Sequence, residues 1–150
     1  MATVILEGFD ELQDAFKKIS TIPASVTRKA VKAMGEVAVR YVKAEGEAMG
    51  IRSDEDGAHV LDNISFSKPK KGRDGNMKGW VVFTGTRMRG DRKIWNAAIA
   101  YLNEYGSPRR DPPIPPRPFI RTGLAKGEAE ITAAAEEIIG DFIEKTFGNG

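Results

Sequence analysis

Proline constrains the fold of this chain more than any other residue type, because six of the eight prolines in its 150 residues lie within 108–118. Proline fixes φ and lacks a backbone N–H, so this segment is expected to be extended and cannot lie inside a sheet. Proline also disfavours a helical conformation for the residue before it, so a following helix can begin only at or after Pro118. We therefore predict a stiff, proline-rich connector over 107–118 and a final helix from Phe119 to Phe147.

Apolar residues at helical spacing indicate where the helices lie. The final helix has an apolar stripe formed by Ile120, Leu124, Ile131, Ala134, Ile138, Phe142 and Ile143. A long helix is also expected to follow Pro23 and to end near Gly50, with a stripe formed by Val26, Ala30, Val37, Tyr41 and Val42. A shorter helix is predicted over 10–19, with Phe9, Leu12, Phe16 and Ile19 on one face.

A β-hairpin is predicted in the middle of the chain. Residues 60–68 alternate in the manner of a strand, and residues 79–84 form the return strand. The intervening residues 70–76 contain Gly, Asp and Asn, which favour turns. Residues 3–6 are a further short β-prone stretch.

After the hairpin, Arg87–Lys93 has the composition of a polar loop. A helix or short strand is expected to start at Ile94 and to end near Gly106, which can adopt positive φ and turn the chain sharply. The sequence therefore predicts a single α+β domain over 1–150. In it, N-terminal helices and a long C-terminal helix pack on a small antiparallel sheet.

The residue types that carry most enzyme chemistry are scarce. The chain has no cysteine and a single histidine, His59, so thiol catalysis, disulfides and two-histidine metal sites are not expected. The glycines match neither a phosphate-binding loop nor a dinucleotide fingerprint. We therefore predict a non-enzymatic protein without catalytic residues, metal or cofactor. A metal-dependent hydrolase using Asp54, Glu55 and Asp56 stays open as an alternative, although the spacing of a calcium-binding loop is missing.

Membrane insertion and secretion are not expected either. No apolar run approaches the roughly 20 residues needed to cross a bilayer. The N-terminus lacks the basic-then-apolar pattern of a secretory leader.

Charge is distributed unevenly, although the formal net charge is only +2. Residues 67–93 contain nine Lys or Arg against two Asp, whereas residues 122–150 contain six carboxylates against two Lys. Opposite poles suit head-to-tail self-association, and a basic pole also suits nucleic acid. The predicted basic hairpin carries Lys68, Lys70, Lys71, Arg73 and Lys78. With Trp80 nearby to stack on a base, a nucleic-acid-binding module is the alternative function that these residues leave open.

Two short motifs flank the proline-rich connector. Residues 100–106 read Ala-Tyr-Leu-Asn-Glu-Tyr-Gly, and residues 117–121 read Arg-Pro-Phe-Ile-Arg. In these motifs and in the order of its predicted elements, the chain resembles the tail-completion or head–tail connector (neck) family of long-tailed bacteriophages, which includes the minor tail protein Z group. Members of that family have an alanine- and aromatic-containing stretch that ends in Glu, an aromatic residue and Gly. A Pro-Phe-(Leu/Ile) motif then opens their last helix.

The resemblance implies a virion assembly protein that is made in the cytoplasm of a bacterial host and forms a ring at the head–tail junction. The implied partners are further copies of the chain, commonly six in a ring, the tail-tube or tail-terminator ring, the head connector and DNA in the channel. We expect subunit or partner contacts at Glu104, Tyr105, Arg109, Arg110, Arg117 and Phe119. The arginines offer planar donors for carboxylates of a neighbouring copy, namely Glu128, Glu130, Glu136 and Glu137.

Overall fold

A computed structural model describes residues 3–4, 22–51 and 60–147 of the chain. The α-helices of this part are α1 (Ala24–Ala48), α2 (Asn96–Tyr105) and α3 (Phe119–Phe147). Its strands are β1 (Thr3–Val4), β2 (Ile64–Phe66), β3 (Lys70–Lys71), β4 (Met77–Phe83), β5 (Thr86–Arg89) and β6 (Arg92–Trp95). The predicted α+β fold is confirmed, because the two long helices pack on small antiparallel sheets.

The long helices α1 and α3 lie antiparallel along each other. Arg40 of α1 pairs with Glu130 of α3 at 2.7 Å, and Glu45, further along α1, pairs with Lys126, further back along α3. Both helices have the predicted bounds to within a few residues. The buried positions of α3 include Ile131, as expected, but also Ala135 and Ile139. The predicted stripe contains the neighbouring residues Ala134 and Ile138 instead, and these are only half-buried.

Glycine sets the distance between the two long helices. A Cβ added at Gly123 would lie 2.8 Å from the Val42 Cα and 2.9 Å from the Tyr41 carbonyl oxygen. Both are backbone atoms, which cannot rotate aside as the end of a side chain can. The helix axes therefore approach closely at this point only because position 123 has no side chain.

The main sheet is organised around β4, which lies between β1 and β2. Ile64 of β2 is opposite Phe83, and Lys71 of β3 is opposite Met77, so β2 and β3 pair with successive parts of the same strand. This arrangement is the predicted hairpin. The ring of Phe66 occupies the space above Gly35 of α1 and Gly79 of β4, where a Cβ on either glycine would overlap it. The missing side chains therefore form the slot that locks the sheet onto α1.

Two parts of the chain differ from the prediction. Residues 60–63 form a 3-10 helix instead of the start of a strand. Val60 and Leu61 are both buried, and consecutive residues of a strand would point to opposite faces of the sheet, so a helical turn is needed to bury both. The predicted polar loop Arg87–Lys93 is instead a second hairpin, in which β5 pairs with β6 around a turn at Gly90, whose φ is 61°.

The core lies in two neighbouring clusters. One joins α1, β4 and the second half of α3, and its buried residues are Ala30, Met34, Ala38, Val81, Ile131, Ala135 and Ile139. The other joins the end of α1, the 3-10 helix, α2 and the start of α3, and its buried residues are Val42, Ile51, Val60, Leu61, Ala100, Phe119 and Ile120. The corner between α2 and α3 is thus held in the second cluster.

Some sequence predictions lie outside the described residues. They are the helix over 10–19, the end of the β-prone stretch at residues 5–6, and the acidic loop with Asp54, Glu55, Asp56 and the neighbouring His59. Among the helices of the described part, none is long and apolar enough to cross a membrane.

Candidate functional site

The two motifs that flank the proline-rich connector meet at one carboxylate. Glu104, near the end of α2, accepts hydrogen bonds from the backbone N–H of Ile120 at 2.8 Å and of Arg121 at 3.2 Å. These are the second and third residues of α3, whose N–H groups have no partner inside the helix. Pro118, before the helix, has no side-chain acceptor to cap it. Glu104 therefore serves as the N-cap of α3 from a different helix and places a negative charge at the positive end of the α3 dipole.

Glu104 also fixes the orientation of an arginine. The Nε of Arg121 donates to the same carboxylate at 2.9 Å, and the Arg121 guanidinium lies 5.6 Å from the centre of the Tyr105 ring. Glu104 itself is only 2% exposed. We expected Glu104 at a subunit contact, but in this structure its carboxylate has internal partners and does not form part of the surface.

Gly106 and Phe119 complete the corner. Gly106 ends α2 with φ of 69°, and a Cβ there would lie 2.6 Å from the Ile114 carbonyl oxygen, so this tight turn requires glycine. Phe119 is fully buried and meets Phe83 edge to face, with ring centres 5.8 Å apart. Phe119 was also expected at a contact, and the structure places it in the core instead, where it anchors the start of α3.

The proline-rich connector is closed on itself by a single bridge. Ser107 and Ile114 exchange two backbone hydrogen bonds of 2.8 and 3.0 Å. The segment between them carries Arg109 and Arg110, both exposed and without a carboxylate partner among the described residues. Arg117 lies beyond the bridge and donates to the Met49 carbonyl oxygen at 3.4 Å. The loop thus presents two of the three predicted arginines together and holds the third against the end of α1.

The basic hairpin forms as predicted, and one aspartate organises its turn. Asp74 binds Lys78 at 2.6 Å and accepts the Asn76 backbone N–H at 3.1 Å, and the Lys78 ammonium is the main cause that lowers the pKa of the Asp74 carboxyl. Lys70 is directly opposite Lys78 in the register, so Asp74 offsets repulsion across the strands. Lys70, Lys71 and Arg73 are exposed without a carboxylate partner in the described part, and Lys68 lines a groove elsewhere.

Trp80 does not point into the core. The buried residue Val81 faces the helices, so by strand alternation Trp80 lies on the opposite face of β4, together with Lys78 and its cross-strand neighbour Lys70. The Trp80 backbone is fixed by Ser67, whose hydroxyl accepts its N–H at 2.8 Å. This outer face therefore combines a half-buried aromatic ring with two lysines.

Of a surface formed by β5, β6 and α2, the sequence singled out only Tyr105. The large apolar side chains of this surface are exposed by 53% at Met88, 64% at Trp95, 58% at Tyr101 and 52% at Tyr105. The Tyr101 and Tyr105 rings are 4.8 Å apart, one helical turn from each other. The strand register places Lys93 on the same face of the hairpin as Met88 and Trp95, and together with Lys93 we call these residues the aromatic–basic surface. A sequence signal was present in the four-residue spacing of the tyrosines, but a hydrophobic side chain in a sequence is ordinarily assigned to the core.

Two further features offer polar groups. A groove of about 720 Å³ between α1 and the edge of β2 is lined by Arg28, Lys32, Val39, Phe66, Lys68 and Pro69, among others. On the far side of α1, the Tyr41 hydroxyl donates to Glu130 at 2.5 Å, and this bond raises the Tyr41 pKa and so favours the neutral phenol. No cluster of three or more potential metal ligands occurs within the described residues.

A scan of protein-family models, a search of curated proteins and a search of solved structures each found no match to the chain.

Proposed function

We propose that this chain is a non-enzymatic structural protein that joins phage head and tail by forming a ring of its own copies at the junction. One observation carries the proposal. The Glu-Tyr-Gly and Pro-Phe-Ile motifs, on which the resemblance to tail-completion proteins rests, form one connected unit through the Glu104 cap of α3. The residues that carry the resemblance are thus the residues that hold the α2–α3 corner together.

The distribution of charge supports the same function. A ring subunit needs a rigid frame that presents two complementary surfaces, one for each neighbour. Here the α2–α3 corner and the close α1–α3 contact supply the frame. The connector arginines Arg109 and Arg110 and the α3 carboxylates Glu136 and Glu137 are candidates for the complementary surfaces, because both sets are exposed and form no ion pair in the described part of the chain. Glu130, also expected at this contact, is instead paired with Arg40 of the same chain.

Deletion of the gene from a phage genome that carries it tests the proposed function. We expect filled heads and finished tails to accumulate as separate particles in electron micrographs, and infectious virions to reappear when the wild-type chain is supplied from a plasmid. A plasmid with an early stop codon is the matched control. Joined, infectious virions produced without the protein would contradict the proposal.

A nucleic-acid-binding module is the second candidate, favoured by the shared outer face of Lys70, Lys78 and Trp80. Binding of single-stranded DNA by this face would rest on phosphate contacts and stacking, so affinity would fall steeply with salt. Fluorescence titrations at several salt concentrations measure this slope. If the chain is a nucleic-acid-binding module, K70E/K71E/R73E should abolish DNA binding. If it is a head–tail joining protein, even the wild-type chain should bind DNA only weakly.

A further inference from the structure

We propose that the aromatic–basic surface binds the outward face of α3 from a second copy of this chain. This inference rests on the proposed function, because it assumes that the chain assembles with its own copies. It adds which two surfaces meet. The contact joins two different patches and is therefore heterologous, which is the type that closes rings when the rotation between subunits permits.

The β5–β6 hairpin has few contacts with the rest of the described part of the chain. β5 and β6 pair with each other, and β6 also contacts α2, but among the described residues neither strand packs extensively against another element. The junction is fixed by Asn96, whose backbone N–H donates to Gly85 at 3.1 Å and whose side chain donates to Thr84 at 2.9 Å. A two-stranded hairpin alone is marginally stable in water, so this arm gains from a partner that covers one of its faces.

One face of the arm is suited to such a partner. Thr86 is opposite Trp95 and Met88 is opposite Lys93, so Met88 and Trp95 lie on the same face as diagonal neighbours. Lys93 lies on this face as well, whereas Arg89 and Arg92 are paired on the opposite face beside the turn. Tyr101 and Tyr105 are exposed on α2, which follows β6 directly. Trp and Tyr are among the residues that most often dominate binding energy in protein interfaces, and both types occur here.

The arm carries more positive than negative charge. The hairpin carries Arg87, Arg89, Arg92 and Lys93 against Asp91 alone. None of these basic groups forms an ion pair among the described residues. The arm therefore combines an apolar face with an uncompensated positive charge at its tip.

The outward face of α3 has the opposite character. In its first half it exposes Ala125, Ala129 and Ala133, beside Lys126 and Glu130, whose charges are paired with residues of α1. In its second half it exposes Glu136, Glu137 and Glu144, which form no ion pair within the described residues. Large aromatic rings can pack on the alanines, and the unpaired carboxylates are opposite in charge to Lys93 and to the tip of the arm.

The two surfaces also agree in order. Along the aromatic–basic surface, the tyrosines of α2 come first, then Trp95 and Met88, and then the charged tip. Along α3, the alanines come first and the unpaired carboxylates follow.

Single-stranded nucleic acid is the competing occupant, because aromatic rings beside basic side chains also suit it. The second copy is favoured because the chain itself supplies a face with matching small residues and unpaired carboxylates. The two occupants make opposite predictions for a variant of α3. Removing negative charge from α3 weakens binding between copies, but it can only strengthen attraction to a polyanion.

Charge reversal on each surface tests the contact by sedimentation velocity up to about 1 mM protein, a range that detects weak association. K93E is expected to weaken self-association several-fold, and E136K/E137K at least about tenfold. The chain that combines the three substitutions is expected to recover much of the lost affinity, because the two surfaces again carry opposite charges. R28E/K29E is the matched control, since it reverses two exposed charges at the start of α1 and should leave association unchanged.

Three results would overturn the inference: a wild-type chain that stays monomeric over the whole concentration range, association that neither reversal weakens, and reversals that the combined chain does not rescue. Tighter binding of an oligothymidine by E136K/E137K, together with weaker binding by K93E and no self-association, would assign the surface to nucleic acid. Circular dichroism of each variant confirms folding. Self-association with rescue would stand even if deletion of the gene left virions intact, so the two proposals fail separately.

Discussion

Removal of the Glu104 carboxylate is expected to destabilise the fold more than any other single change at the α2–α3 corner. In Glu104→Ala, the N–H of Ile120 loses its acceptor in a buried position, and the N–H of Arg121 loses its acceptor in a partly buried one. A lost N-cap costs about 0.5–2 kcal/mol, and a buried N–H without a partner costs about 1–3 kcal/mol. Relief from burying a charge offsets part of this loss.

We therefore expect Glu104→Ala to lower the free energy of unfolding by about 3 kcal/mol, which corresponds to a fall in Tm of about 6–12 °C for a chain of this size. Glu104→Gln keeps one acceptor oxygen and loses the charge, so it should cost about half as much. Arg121→Ala leaves the Glu104 carboxylate in place and removes only its arginine partner. Because the Arg121 side chain is 64% exposed, this substitution should lower the free energy of unfolding by less than about 1 kcal/mol.

Urea denaturation followed by circular dichroism measures all three variants under the same conditions. The order Glu104→Ala, then Glu104→Gln, then Arg121→Ala is the signature of a helix cap supplied by the buried carboxylate. If Arg121→Ala costs as much as Glu104→Ala, the ion pair and not the cap holds the corner. If Glu104→Ala costs less than about 0.5 kcal/mol, the cap contributes little and the reasoning is refuted.

Three further predictions concern other parts of the frame. Gly106→Ala is expected to lower the free energy of unfolding by about 1–3 kcal/mol, because the residue has positive φ and an added Cβ would meet backbone atoms. Thermal melts measure this loss, and a variant with the wild-type Tm would show that the turn tolerates a side chain. Gly123→Val should prevent the close approach of α1 and α3 and leave little folded protein. Ala125→Val, on the exposed face of the same helix, should be tolerated. Equal stability of the two variants would disprove the close contact. Asp74→Asn should lower stability slightly near neutral pH. Because the pKa of Asp74 is lowered in the folded state, its contribution is complete above the ordinary value of 3.8 and is lost as the pH falls through the lowered value, so the difference between wild type and variant should vanish in acid. A difference that persists in strong acid would show that the charge of Asp74 is not its cause.

Local sequence signals predicted the long elements well. Pro118 required α3 to begin at or after it, and helical spacing then carried the helix to Phe147, as the structure confirms. The hairpin of β2, β3 and β4 followed from alternation and from the Gly and Asp residues of its turn. In each case the deciding interactions lie close together in the sequence.

The features that were missed depend on contacts distant in sequence or on exposure. Glu104 and the start of α3 are 16 residues apart, and no local pattern indicates that a glutamate at the end of one helix will cap another. The sequence predicts a loop where the β5–β6 hairpin forms, because five of residues 87–93 are charged and they lack the apolar–polar alternation that indicates a half-buried strand. The exposure of Trp95 is a property of the assembled surface, which hydropathy of the sequence does not contain.

The central claim, a place for this protein at the head–tail junction, is tested most directly by labelling it in finished virions. A short epitope tag after Gly150 and gold-conjugated antibody would locate the chain in electron micrographs of purified particles. We expect gold at the junction of head and tail in wild-type particles and no gold on particles that lack the tag. Label along the tail, at its distal tip or over the capsid would contradict the account, as would purified virions that contain no tagged protein.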